Sequence, residues 1–333
     1  MARPSLVVTR TPLRISFAGG GTDFPGFYEQ GYGAVISTTI NKYLYVTIKP
    51  HGSLFNEQFR LNYSQTEVLS SLDAMQNHIA RESLRFLKIE PPLYISTVAD
   101  LPEFSGLGSS SSFAVGLLNA LHVFRGERVS AGQLAEEASY IELNVLKRPI
   151  GKQDQYAAAF GGLNLFCFMP DGRVTVEPQR LVDGAIERLF DHLLLLWTGI
   201  RRDAGTVLAE QHANTGANHD VLEAMRDHAR QLQGLIRNGF DPLAFGHVLD
   251  ATWQLKRRLA SSITNDRIDA WYRRAIEAGA VGGKLCGAGG GGFFLFMTPP
   301  DRRPVVRQAL AEMPEVRVRY EAQGSRVLLP FTD

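Results

Sequence analysis

Apolar and polar positions along the first third of the chain alternate in short runs. The runs at 6–9, 13–17, 34–40 and 43–49 are rich in Val, Ile, Tyr and Thr, are bounded by Gly or Pro, and predict strands. A helical pattern follows over 67–86, then a strand-like run at 93–98. From Ser109 the spacing changes: Phe113, Val115, Leu117, Leu118, Leu121 and Phe124 leave little room for a polar face, which predicts a buried helix. A second helix is predicted over 130–146, with Ser130 as its N-cap. After Gly161-Gly162 the pattern returns to strands at 163–168 and 174–177.

The second half reads as a strand at 193–198 and helices near 203–213, 218–236, 242–260 and 266–278. A strand at 280–286, a glycine loop, a strand at 293–297 and a terminal helix and strand complete it. Strands and helices mix without regular β-α-β-α alternation, so the fold class is α+β. The pattern shift near 165–185 suggests two domains, 1–175 and 176–333.

Composition narrows the function classes. The 333 residues are 44% hydrophobic and 21% charged, as in an ordinary globular protein. Thirty-five Lys and Arg against 34 Asp and Glu give a net charge of +1, without the basic excess that marks nucleic-acid or membrane partners. Cys167 and Cys286 are the only cysteines, too few for a disulfide framework or a Cys-based metal site, and read as free thiols in a reducing cytoplasm. No run approaches the ~20 apolar residues of a membrane span. The eight histidines show no metal-ligand spacing, and Lys256-Arg-Arg258 reads as a solvated helix face.

Glycine, at 32 residues, is the unusual count, and it falls in three clusters. Leu101-Pro-Glu-Phe-Ser-Gly-Leu-Gly-Ser-Ser-Ser-Ser112 runs directly into the buried helix. Glycines let backbone N–H groups converge, and a helix N-terminus adds free donors and a positive dipole end, so this segment can cradle a polyphosphate. Its serines offer N-cap oxygens and hydroxyls able to reach a metal ion. It is not a Walker A loop, since no G-x-x-x-x-G-K-[ST] occurs.

Lys284-Leu-Cys-Gly-Ala-Gly-Gly-Gly-Gly292 contains a formal G-x-G-x-x-G, but the strand-like Phe293-Phe-Leu-Phe-Met297 comes next, where a dinucleotide fingerprint needs a helix. A strand–glycine loop–strand instead brings backbone close to a ligand. The third cluster, Arg14-Ile-Ser-Phe-Ala-Gly-Gly-Gly-Thr-Asp23, ends in Thr22 and Asp23, which could orient a polyhydroxylated ligand or simply form a turn. Asp154, in Gly151-Lys-Gln-Asp-Gln-Tyr156, is a candidate base or charge stabiliser with Lys152 nearby, or else a helix N-cap.

These segments, in this order, resemble the GHMP superfamily of small-molecule kinases. Pro102, Gly106, Leu107, Gly108, Ser109 and Ser110 match its P-x-x-x-G-L-G-S-S motif, and Lys284 through Gly292 its C-terminal glycine motif. Thr11 through Asp23 match the N-terminal motif. The resemblance implies a two-domain fold with a left-handed β-α-β unit around the phosphate loop, and a C-terminal domain carrying an antiparallel sheet. It implies ATP over Ser105–Ser110 and Mg²⁺ held by Ser110 and Glu142. Asp154 would act at the acceptor hydroxyl, and Arg14 beside the transferred phosphoryl group. Gly20, Gly21, Thr22, Asp23, Lys152, Arg201, Arg202, Gly289 and Gly290 would contact the substrate.

Within the superfamily, the 10–23 segment is similar to that of D-glycero-D-manno-heptose 7-phosphate kinases. That similarity implies phosphorylation to the 1,7-bisphosphate, with a sugar phosphate and ATP as small-molecule partners. Fucokinase- and galactokinase-like sugar 1-kinases, diphosphate decarboxylases and a non-catalytic sugar or nucleotide sensor are the alternatives.

Overall fold

The computed structural model describes residues 4–331 apart from 53, 202 and 203. In chain order the elements are β1 (Leu6–Ala18), α1 (Pro25–Tyr28), β2 (Gly33–Pro50), β3 (Phe59–Asn62), β4 (Thr66–Leu69), α2 (His78–Phe86) and β5 (Leu93–Ala99). Then come α3 (Ser109–Phe124), α4 (Ala131–Ser139), a π-helical turn (Tyr140–Val145), α5 (Gln153–Phe160), β6 (Leu163–Phe168) and β7 (Val174–Pro178). The second half holds α6 (Ala185–His192), β8 (Leu193–Trp197), α7 (Ala204–Ala213), α8 (His219–Arg237), α9 (Pro242–Lys256), α10 (Asp266–Glu277), β9 (Gly282–Leu285), β10 (Phe293–Met297), α11 (Arg303–Ala309) and β11 (Arg326–Phe331).

Among the described residues, eight strands form one sheet in the order β11-β1-β2-β5-β3-β4, with β6 pairing β2 and β7. Its pairs are antiparallel except β3 with β5. A smaller antiparallel sheet runs β8-β10-β9. This is an α+β fold, as the mixed pattern predicts.

The four N-terminal strand runs fuse into two long strands. The apparent breaks at Pro12 and at 41–42 face each other, where the register steps from Pro12↔Tyr43 to Leu13↔Ile40. A bulge absorbs both irregularities, so a proline is accommodated without ending the strand. The helix predicted over 67–86 is corrected to a strand, a short 3₁₀ turn and α2. Glu67 turns back and accepts from the N–H of Gln76 (2.6 Å) and Asn77 (3.0 Å), and Asn77 then caps α2 through the Ala80 N–H. This carboxylate-built turn overrides the helical periodicity.

Elements on the two sides of residue 175 share sheet and core. β7 runs through 178 in the large sheet, and β11 pairs with β1. Leu13, Ile15 and Phe17 share one buried cluster with Leu195, Phe245 and Phe293, so the halves are joined by a common core. On the other face of the large sheet, α3 buries Ala114, Val115, Leu117, Leu118 and Leu121 completely. That packing fixes where its N-terminus points. Among the described residues, no helix is long and apolar enough to cross a membrane.

Candidate active site

α3 begins at Ser109 behind Gly108, which adopts φ +79° and gives the helix no side-chain cap. Left-handed geometry at this position favours glycine, and the first N–H groups of a helix have no intrahelical acceptor. An uncapped N-terminus therefore sits at the end of the glycine loop, with Gly106, Gly108 and Ser109 partly accessible and Ser110 exposed. The serines do not serve as caps, contrary to expectation. Ser110 and Ser111 donate to Glu142, at 3.2 and 2.9 Å, and Ser112 donates to the Pro12 carbonyl at 2.9 Å. Ser105 is fully buried, with its carbonyl receiving the Phe293 N–H at 3.3 Å. Leu107 is likewise core, and its carbonyl receives the Arg14 N–H at 3.0 Å. Pro102 is half-buried at the loop's start.

Arg14, 4% exposed, forms a two-pronged pair with Asp154: Nε to Oδ1 and Nη2 to Oδ2, both at 2.7 Å. Its Nη1 donates to the Gly106 carbonyl at 2.9 Å. Burial alone would lower the Arg14 pKa, but the Asp154 charge and hydrogen bonds outweigh it and the net shift is upward. A methyl group on Gly108 would lie 3.4 Å from Asp154 Oδ2 and 3.3 Å from Arg14 Cγ, so the loop glycine borders the ion pair. Asp154 lies inside the first turn of α5, whose N-cap is Lys152, and is not the cap itself.

Successive residues of α5 serve two neighbouring clusters. Asp154 meets Arg14, while Gln155 donates to Glu142 Oε2 at 2.7 Å. Glu142, fully buried on the π-helical turn, thus has Oε2 fixed by Ser111 and Gln155. Its Oε1 accepts from Ser110 (3.2 Å) and from Arg148 Nη1 (2.8 Å), and Arg148 also donates to Ser110 Oγ at 2.7 Å. Ser111, Gln155 and Arg148 do not stand out in the sequence as site residues. Gln155 adjoins Asp154 in the quoted segment, whereas Arg148 carries no local signal.

The N-terminal glycine cluster reaches the same place by a different route. Asp23 is 2% exposed and accepts from Gly21 N (2.9 Å), Gln153 N (3.2 Å) and Gln153 Nε2 (3.1 Å). Burial raises its pKa against the lowering effect of those N–H bonds, and the nearby Asp154 raises it further. Asp23 thus docks the start of α5 onto the Gly19–Gly21 turn. Thr22 is fully buried and spends its hydroxyl on the Gly19 and Ala34 carbonyls. Gly21 is buried and Gly20 half-buried. Lys152 is turned away from Asp154; it donates to the Gly172 carbonyl at 3.0 Å and approaches Glu136 at 3.8 Å.

The C-terminal glycine loop packs rather than opens. A Cβ on Gly287 would lie 2.5 Å from Gly106 Cα, and one on Gly289 would lie 2.9 Å from Ile263 Cγ2. The Gly290 N–H is taken by the Ile263 carbonyl at 2.8 Å. Gly289 and Gly290 are buried. Two lysines tie this loop down. Lys284 donates to the Ser16 carbonyl at 2.8 Å, and burial lowers its pKa to about 8. Lys256, read as solvated, is 6% exposed and donates to the Gly287 carbonyl; burial pulls its pKa well down. A lysine next to two arginines looks like a surface run, but Lys256 faces inward from the last turn of α9 and finds a carbonyl to cap. Arg201 is exposed, next to Ile200, whose carbonyl receives the Gly292 N–H at 2.9 Å. Arg202 and the predicted helix start at Asp203 lie outside the described residues.

The comparisons with known proteins agree with this geometry. The family of GHMP kinases, N terminal domain, matches residues 60–162, and that of GHMP kinases, C terminal, matches 220–316. The chain belongs to the GHMP kinases. It is 32% identical over 315 residues to the D-glycero-alpha-D-manno-heptose 7-phosphate kinase of Campylobacter jejuni, covering 91% of this chain and 92% of that protein. It is 27% identical to the L-fucokinase/L-fucose-1-P guanylyltransferase of Bacteroides fragilis, covering 95% of this chain but 37% of that protein. The crystal structure of a D-glycero-D-manno-heptose 1-phosphate kinase from Bacteroides thetaiotaomicron superposes with a TM-score of 0.80 at 25% identity, over 98% of this chain and all of that one.

Proposed function

We propose that the protein is an ATP-dependent sugar kinase acting on D-glycero-D-manno-heptose 7-phosphate and forming the 1,7-bisphosphate. The observation that carries the kinase reading is the two-pronged Arg14–Asp154 pair standing beside Gly108 at the uncapped N-terminus of α3. Phosphoryl transfer depends chiefly on positioning and charge stabilisation, and this pair supplies one group for each reactant. Asp154 orients the acceptor hydroxyl and takes up its proton, while Arg14 balances charge on the transferred phosphoryl group. The glycine loop and the α3 N-terminus bind the ATP phosphates. Both oxygens of Asp154 are engaged by Arg14, which fixes the orientation of the carboxylate.

The residues present also fit a magnesium ion. Ser110 and Glu142 Oε1 are hard oxygen donors 3.2 Å apart, close to the ~3.0 Å separation of adjacent ligands in an octahedron of ~2.1 Å bonds. When bound, the ion would neutralise charge on the phosphate chain. Support for the heptose comes from the relative that covers nearly the whole chain and from the first glycine motif. A remote phosphate needs a cationic anchor, and Arg201, beside the glycine loop, is the proposed one.

The test is ADP release across fucose, galactose, the heptose, its 1-phosphate and its 7-phosphate, with mass spectrometry of the product. We expect turnover with the 7-phosphate and product phosphorylated at the anomeric carbon. Preference for an unphosphorylated sugar or for the 1-phosphate would overturn the substrate assignment, and loss of carbon dioxide would overturn the reaction class.

A further inference from the structure

Arg148 sits where a divalent ion is needed. Its Nη1 lies 2.7 Å from Ser110 Oγ and 2.8 Å from Glu142 Oε1, bridging the pair assigned above to magnesium. An ion within ~2.1 Å of both oxygens cannot be more than about 3.6 Å from that nitrogen, given the 3.2 Å between the oxygens. A guanidinium with N–H groups aimed at the same two oxygens repels an ion at that distance. The two cations therefore exclude one another.

We infer that Arg148 is the counter-cation of the metal site in the free enzyme, displaced when metal and nucleotide arrive together. The inference rests on the assignment of Ser110 and Glu142 to the metal. Three features support it. Glu142 is fully buried, and a buried carboxylate left without a cation is costly. Ser111 and Gln155 hold Oε2, so Arg148 compensates only the Oε1 side, where a metal would bind. Arg148 itself is 42% exposed, so its side chain has a way out into solvent. Its backbone stays: the Arg148 N–H donates to the Glu142 carbonyl at 3.0 Å, and the Arg148 carbonyl receives the Ile150 N–H at 2.9 Å. What must move is a side chain.

The consequence is a coupling between ligands. Metal alone must expel Arg148 without replacing its partners, whereas a metal–nucleotide complex brings phosphate oxygens on which the released guanidinium can settle. Free enzyme should bind divalent ions weakly, and nucleotide should tighten that binding.

The test measures Mn²⁺ affinity by electron paramagnetic resonance, with and without ADP, in the unmutated protein, Arg148→Met, Glu142→Gln and the double variant. Arg148→Met should tighten Mn²⁺ binding to the free enzyme about tenfold, ~1.4 kcal/mol, and so shrink the enhancement by ADP. The double variant should lose that gain, which separates the site from the carboxylates and imidazole of His219, Asp220 and Glu223. If Arg148→Met does not fold, Arg148→Gln, neutral but still a donor, carries the same expectation. Unchanged or weaker Mn²⁺ binding in the Arg148 variants, with Glu142→Gln still weakening binding in the ADP complex, would overturn the role of Arg148 and leave the metal assignment standing. Indifference of the ADP complex to Glu142→Gln would overturn the metal assignment and the inference with it.

Discussion

Two loops that both contain glycine are built differently. The loop ahead of α3 leaves Gly106 and Gly108 partly accessible before an uncapped helix end, beside an ion pair whose arginine is buried and whose aspartate is half-buried. The loop between β9 and β10 is nearly closed to solvent, and its glycines touch backbone or apolar side chains of Gly106, Ile263 and Ile200. In the first, Gly106 makes room for the Cys286 carbonyl while Gly108 borders the Arg14 and Asp154 side chains; in the second, the missing Cβ atoms admit other pieces of the same chain. The presence of glycine alone does not distinguish them. The element on the C-terminal side of each loop does, since a helix start leaves free donors and a strand start does not.

The sharpest way to break this contrast is at the open loop. Asp154→Asn should keep the fold, yet lower kcat by about 10²–10⁴-fold, because the group acts on the acceptor in the transition state. Circular dichroism and ADP release would check it, and near-normal turnover would remove Asp154 from the chemistry. The closed loop should answer in stability instead. Gly287→Ala forces a side chain into φ +66° and to within 2.5 Å of Gly106 Cα. Left-handed backbone alone costs an L-residue about 1–2 kcal/mol, so a loss of about 3 kcal/mol or more in denaturant unfolding is expected. An alanine there without effect on stability would mean the two loops are not held together as described.

Much of this was legible in the sequence. Phe293-Phe-Leu-Phe-Met297 forms a strand with the predicted bounds, and Ser130 caps α4 through the Gln133 N–H, because both signals are local. Arg14 meets Asp154, and Ser110 meets Glu142. What the chain concealed depends on contacts far along it. Whether Ser110 and Ser111 cap a helix or hold Glu142 is decided by a turn some thirty residues away. Lys256 reads as solvated until the carbonyls at 285 and 287 appear beside it. Thr22 and Asp23 read either as ligand contacts or as a turn, and in the fold Thr22 bonds its own turn while Asp23 bonds Gln153.

Two smaller predictions sharpen the contrast. Arg201 stands at the rim of the closed loop, so Arg201→Ala should raise KM for the heptose 7-phosphate about tenfold and leave KM for ATP unchanged, as steady-state kinetics would show. An equal rise for both substrates would place Arg201 elsewhere in the chemistry. The smallest effect lies behind α3, away from both loops. His122 is buried between Glu127 and Glu137, each 2.7 Å away; burial opposes its charge, but the two carboxylates outweigh it and raise its pKa. A raised histidine stabilises the fold fully below its unfolded value near 6.5, and that contribution fades as pH rises through the folded value. The lowered Glu137 adds stability above about pH 4.3. His122→Gln should therefore cost of order 1 kcal/mol near pH 5–6 and less near pH 9, by unfolding at each pH. A penalty independent of pH would show that His122 is neutral in the fold.

The pairing of β11 with β1 bears on how the chain is made as well as how it stands. Thr11 bonds Ser325 across a separation of 314 residues, and β11 covers the outer edge of β1. During synthesis, the strand carrying Arg14 emerges first and waits with its edge bare until residues 326–331 leave the ribosome. An uncovered edge is a template for pairing with a neighbouring chain, so until β11 is made the edge of β1 is open to wrong pairing.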